Sequence, residues 1–276
     1  MRSITGLGAA LALFASISVA GTGPWIDFQK GVAAFKRNDL KTAHELFERV
    51  VRTDDTIKDA HYYLGMIADR RRDTRKAAHH FAQVSEKSRS YAFAQAKLGS
   101  YARRQGDLES AAKHYEKAVT LRPSVDLWLN LANVQIVAKK HEEAEKALKS
   151  GEKMSPRDLD IADAFARLYL SMREFEKAYA RYEQVANRIP NDMSAHFGKA
   201  VCLMKLDKDA AAESVCNHIL RKDPNHKGVL GLLIRMYEGD PGKEDLRARY
   251  EKRLEWVKKN PPRRKPRPRP TSIRKR

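Results

Sequence analysis

The chain of 276 residues carries 54 Lys and Arg against 35 Asp and Glu, a formal net charge of +19 with histidine neutral, and a hydrophobic fraction of 42%. With only 14 glycines, this excludes collagen-like and wholly disordered classes and leaves an ordered, basic, helix-rich chain. Two cysteines are too few for a disulfide framework.

Residues 1–20 open with one positive charge, Arg2, followed by an uncharged stretch from Ile4 to Val19. Ser18 and Ala20 stand at the small-residue spacing that signal peptidase cleaves. A secretory signal removed before Gly21 is expected, with export to a periplasmic or extracellular compartment. An uncleaved membrane anchor is the alternative, because the stretch is only slightly short for a span. No cysteine stands at the junction, so a lipid anchor there is excluded. Later apolar runs are all interrupted by charge. Cys202 and Cys216 fall on two different expected helices and are read as buried free thiols.

From residue 25 to 224 the chain repeats itself. Alanines at 43, 77, 111, 144, 178 and 212 follow one another at gaps of 34, 34, 33, 34 and 34 residues. Four residues after each come Phe47, Phe81, Tyr115, Leu148, Tyr182 and Cys216. Twelve before each come Gly31, Gly65, Gly99, Ala132, Ala166 and Ala200. Pro123, Pro156, Pro190 and Pro224 fall twelve after the alanine in the last four copies that have one. Small residues in two columns let two antiparallel helices approach closely, and the aromatic fills the remaining gap. Proline ends the second helix because it lacks an N–H donor and clashes in a helix interior. Arg37-Asn38-Asp39, Gln105-Gly106-Asp107 and Leu206-Asp207-Lys208 are the turns between helices.

The spacing resembles that of the tetratricopeptide repeat family, whose pattern runs Trp-x2-Leu-Gly-x2-Tyr, then Ala-x3-Phe, then Pro. The third copy carries it as Leu98-Gly99, Ala111, Tyr115, Ala118 and Pro123, and the fourth as Trp128, Leu131, Ala132, Ala144 and Pro156. The resemblance implies an all-α solenoid, a superhelix of about six to seven helical hairpins, with six repeats over residues 21–224. A degenerate seventh hairpin over 225–259 would serve as the polar cap that the end of a solenoid needs.

Motifs of catalysis and metal binding do not assemble. His44-Glu45 and His141-Glu142 begin a zinc-protease pattern, but Glu48 and Glu145 occupy the second histidine position. Gly242-Lys243 lacks the rest of a phosphate-cradling loop, and neither a nucleophile elbow nor a Cys-x-x-Cys pair occurs. His80 and His114, with His79 beside them, fall at equivalent positions of adjacent repeats, where a helix spacing of about 8–10 Å is long for shared metal ligation. The chain is expected to be non-catalytic, with no cofactor and no metal.

In the family resembled, set positions of the first helices line a concave face that meets an extended or helical peptide. Carried onto this chain, that face includes Tyr62, Tyr63, Asp69 and Arg70, then Lys97, Ser100, Arg103 and Arg104. Asn130 and Asn133 follow, with Asp163, Arg167, Phe197 and Lys205 after them. The cations can attract a carboxylate, and the two amides, one turn apart, can meet a peptide backbone. The expected partner is a protein or peptide segment of acidic character.

Residues 260–276 hold eight basic residues, Arg263, Arg264, Lys265, Arg267, Arg269, Arg274, Lys275 and Arg276, with no acid. Alternating prolines favour an extended polyproline conformation over a helix. At about 3.1 Å per residue such a tail reaches on the order of 50 Å. It is expected to be disordered and to associate with an anionic envelope polymer or lipid. Nucleic acid is disfavoured by the signal segment and by the lack of an aromatic for base stacking. The sequence as a whole points to an exported scaffold. A polyanion-binding protein acting mainly through its tail, or an accessory subunit of an envelope assembly or secretion complex, are its alternatives.

Overall fold

The computed structural model describes residues 23–54, 57 and 59–261. The signal segment and the basic residues Arg263 to Arg276 lie outside the described residues. Those described form fourteen α-helices and no strand. They fall into two compact units, one ending at Met154 and the other starting at Ser155.

The first unit contains α1 (Pro24–Lys36), α2 (Leu40–Thr53), α3 (Asp59–Arg70), α4 (Thr74–Ala82), α5 (Tyr91–Gln105), α6 (Leu108–Leu121), α7 (Val125–Val137) and α8 (His141–Met154). The second contains α9 (Leu159–Ser171), α10 (Phe175–Arg188), α11 (Met193–Lys205), α12 (Asp209–Lys222), α13 (Lys227–Met236) and α14 (Glu244–Lys259). Odd and even helices pair as hairpins, and within each unit each hairpin packs on the next. Nearest-neighbour stacking of this kind is the arrangement of an α-solenoid.

Periodic residues build the core. All six alanines of the central column are fully buried, and their partners from Phe47 to Cys216 are buried with them. The glycine column exists for the aromatic: a Cβ on Gly31 would stand 2.8 Å from Phe47 Cε1, and one on Gly65 2.7 Å from Phe81 Cε1. Where the fourth copy has Ala132, the ring is replaced by the smaller Leu148. The fifth copy has Ala166 with Tyr182, and there the space comes from Gly198, whose Cβ would lie 2.5 Å from Tyr182 Cζ.

Each hairpin turn closes on one left-handed residue. Asn38, Arg72, Gly106, Lys139, Arg173 and Asp207 have φ between 56° and 85°, at the period of the alanines. Only one of them is glycine, the residue for which this conformation is unstrained. In the first three copies an aspartate follows and caps the second helix: Asp39, Asp73 and Asp107 accept from the backbone N–H of Thr42, Lys76 and Ser110. Glu174 and Lys208 hold the equivalent place in the fifth and sixth copies without such a bond.

Two departures from regularity stand out. Helix α4 has 9 residues where α2, α6, α8, α10 and α12 each have 14. Residues 83–90 then run without helix to Tyr91, tied down by buried Val84 and by hydrogen bonds of Ser88 to Asp59 and of Tyr91 to Glu86. The second departure lies in the column where the family pattern has tryptophan. Trp128 keeps it, whereas Asp27, His61, Gln95 and His196 place polar groups there, facing the second helix of their own hairpins.

Candidate functional site on the first-helix face

The first helices of the first unit carry most of the sequence-expected site. Asp69 of α3 receives hydrogen bonds from Lys97 Nζ at 2.8 Å and Tyr101 Oη at 2.7 Å, both on α5. Burial works against the Asp69 charge, but these two donors outweigh it and hold the carboxyl below its ordinary range. The same burial and the carboxylate raise the Tyr101 phenol. Lys97 is thereby committed to its neighbour helix. Arg70 is also engaged: its guanidinium lies 4.3 Å over the Phe35 ring and donates to Asn38 Oδ1 at 3.0 Å. Arg103 and Arg104, in the last turn of α5, stand exposed, with Ser100 half-buried one turn earlier.

Tyr63 belongs to the core as much as to the face. Its ring stacks on Phe47 at 4.8 Å and meets Phe28 and Phe35 edge-on. Tyr62 touches Phe81 and reaches Phe93 on α5. Asn130 and Asn133 lie half-buried on α7, and Asn133 Oδ1 is buried without a hydrogen-bond partner. Arg167 is in the second unit, on α9, where it pairs with Asp163 at 2.9 Å.

Sequence reasoning missed two exposed aromatic members of this face. Trp25, 57% exposed, stacks on Phe28 at 5.3 Å, and Phe93, 43% exposed, lies under the Arg122 guanidinium at 4.6 Å. The signal was available, since Trp25, Asp59 and Phe93 occupy one repeat column 34 residues apart. A cavity of about 600 Å³ opens elsewhere in the unit, between residues 83–90 and α6. Glu86, Tyr91, Ser110, His114, Lys117 and Leu121 are among its lining residues, and its charges are mixed in sign. Among the described residues no group of three or more His, Cys, Asp or Glu could hold a metal ion, and no helix is long and apolar enough to cross a membrane. Cys202 and Cys216 are buried free thiols, which burial pushes up to about 11 and about 12.

Two family models match the chain: a tetratricopeptide repeat over residues 28–92 and the coatomer epsilon subunit over residues 105–264. The chain belongs to the coatomer epsilon subunit family and is a tetratricopeptide-repeat protein. The repeats are the part that the residue columns announced; the coatomer epsilon model, which spans more than half of the chain, was not foreseen.

No curated protein sequence matches this tetratricopeptide-repeat protein. Solved structures do resemble it in fold. A tetratricopeptide repeat protein from Parabacteroides merdae ATCC 43184 is 14% identical with a TM-score of 0.63, covering 86% of this chain and 91% of that one. PilW, a widely conserved type IV pilus biogenesis factor, is 16% identical with a TM-score of 0.58 over 76% of this chain and 98% of that one. PilF of Pseudomonas aeruginosa is 18% identical with a TM-score of 0.58, covering 77% and 97%. At such identities the likeness shows the solenoid fold and no more.

Proposed function

We propose that this chain is an exported, non-catalytic scaffold that holds an acidic peptide segment of another protein against its concave first-helix face. Residues 1–20 would act as the signal, 21–224 as six repeats, 225–259 as the capping hairpin and 260–276 as the basic tail, which would associate with an anionic envelope polymer or lipid. The supporting observation is that Asp69 is already committed to Lys97 and Tyr101 while Arg103 and Arg104 stay exposed on the next first helix. Such a surface attracts carboxylates and steers them on approach.

The experiment is crosslinking in intact cells followed by mass spectrometry, run on the wild type, on Arg103→Glu/Arg104→Glu and on a deletion of 260–276. Partner crosslinks that persist in the tail deletion and vanish in the charge reversal support the scaffold. Loss with the tail alone would transfer the function to the tail, which the eight basic residues there make the second reading. N-terminal sequencing of the mature chain checks export.

A further inference from the structure

Five rings run across the first helices of the first unit in unbroken contact. Trp25 stacks on Phe28 at 5.3 Å, Phe28 meets Tyr63 at 5.8 Å, Tyr63 meets Tyr62 at 5.5 Å, and Tyr62 reaches Phe93 at 6.3 Å. The middle of this ladder is packed: Phe28 is buried, and Tyr62 and Tyr63 are half-buried against Phe81 and Phe47. Its two ends are open to solvent. Exposed tryptophan and phenylalanine at the ends of a rigid aromatic row are the kind of group that dominates binding energy once a partner covers it.

The charges around the ladder select the partner. Asp27 is taken by Arg49 at 2.7 Å and Asp69 by Lys97 and Tyr101, Asp59 accepts a hydrogen bond from Ser88, and Asp126, next in the column after Phe93, is exposed. On the other side of the balance, Arg122 lies exposed over Phe93, and Arg103 and Arg104 end the same helix exposed. A peptide that covers Phe93 meets the Arg122 guanidinium, and one that runs on along α5 meets Arg103 and Arg104; both favour carboxylates and disfavour lysine and arginine. We propose that the first unit recognises an acidic peptide through an aromatic or aliphatic anchor residue laid on the Trp25–Phe93 ladder. This rests on the scaffold reading above and adds the anchor, its seat and the charge of its flanks.

The test is selection of short random peptides displayed against the full chain and against Trp25→Ala/Phe93→Ala, at low and high salt. Peptides enriched on the wild type are expected to pair an aromatic or aliphatic residue with flanking acids. Their affinity should fall on the order of tenfold in the double variant and severalfold at high salt. Because both rings are exposed, the variant keeps its fold, which circular dichroism checks. In a Trp128→Phe/Trp256→Phe background, Trp25 emission should shift on adding a selected peptide.

Acidic peptides that bind the double variant as tightly as the wild type would overturn the anchor and leave the scaffold reading standing. Enrichment of basic peptides would overturn the charge assignment, and no enrichment at all would overturn both. Trp25 emission already shielded from a quencher in the free chain would mean that residues 1–22 or a second copy cover the ladder, which also defeats the proposal.

Discussion

His61 and His80 face each other across the second hairpin with their Nδ1 atoms 3.2 Å apart. One Nδ1–H donates and the other accepts, so the pair holds one proton between the two atoms; a second would set two N–H groups against each other. The contact thus requires at least one neutral ring. Around it stand His79 on the same helix and His44 and Glu48 on α2.

Acid should therefore loosen this protein. Burial, then the neighbouring His61, lowers His80; burial, then Lys117, lowers His114; burial, then Lys222, lowers His218, whose Nε2 has no partner. The unfolded chain takes up these protons near pH 6.5. Stability from the three histidines is complete above that value and is lost as the pH falls from it through the lower folded values. Thermal melts between pH 7.5 and 5 should show a falling midpoint, and His80→Gln, which leaves a Gln–His pair like Gln95–His114 with the two helices exchanged, should flatten the fall. An unchanged slope in that variant would remove the pair from the account.

Filling the glycine column should cost stability according to the room each ring leaves. Gly65→Ala brings a methyl to 2.7 Å from Phe81, and overpacking of this kind costs about 1–3 kcal/mol. Gly99→Ala should cost less, since its methyl would stand 3.2 Å from Tyr115. Gly65→Ala/Phe81→Leu copies the natural Ala132 and Leu148 combination and should be less destabilised than the sum of its single changes in denaturant titrations.

Restoring turn chemistry in the later copies should stabilise. Lys139 and Arg173 hold φ of 58° and 64°, which strains a side chain but not glycine. Lys139→Gly and Arg173→Gly should each gain a few tenths of a kcal/mol to about 1 kcal/mol. Lys208→Asp supplies the missing helix cap and should add about 1 kcal/mol. A lowered melting temperature in any of the three would contradict the strain or the cap.

The two kinds of cation on the face should behave differently. Lys97→Met leaves Asp69 without its ion-pair partner and should reduce stability, with Tyr101 reporting the change in its ultraviolet titration. Arg103→Glu should leave the melt almost unmoved and weaken an acidic peptide severalfold, an effect that shrinks with added salt. Equal losses of binding in both would show that Lys97 also meets the ligand.

Much of the fold was legible because a solenoid writes its core as a period. Small residues at 43, 77 and 111 had to be buried wherever the helices crossed, and they are. What escaped was whatever breaks the period or depends on a neighbour's geometry. Nothing in the sequence of residues 83–90 forbids helix as proline would, so the early end of α4 was not foreseen. Gly198 lies outside the glycine column, and its use by Tyr182 follows only from the packing of one hairpin on the next. The basic face residues lie on first helices, yet the groups that hold Arg70 and Lys97 were not legible in the sequence. Column position specifies which way a side chain points but not that Phe35 or Asp69 waits there to hold it.

The glycine and aromatic that fit one another sit in the same copy for the first three hairpins, while Tyr182 leans on a glycine of the copy after it. Exchange of whole hairpins among the early copies would carry lock and key together, whereas a crossover inside a turn would part them. The fifth copy is different in kind: it can be moved or duplicated only with its successor, so an array of this sort grows freely at one end and in linked pairs at the other.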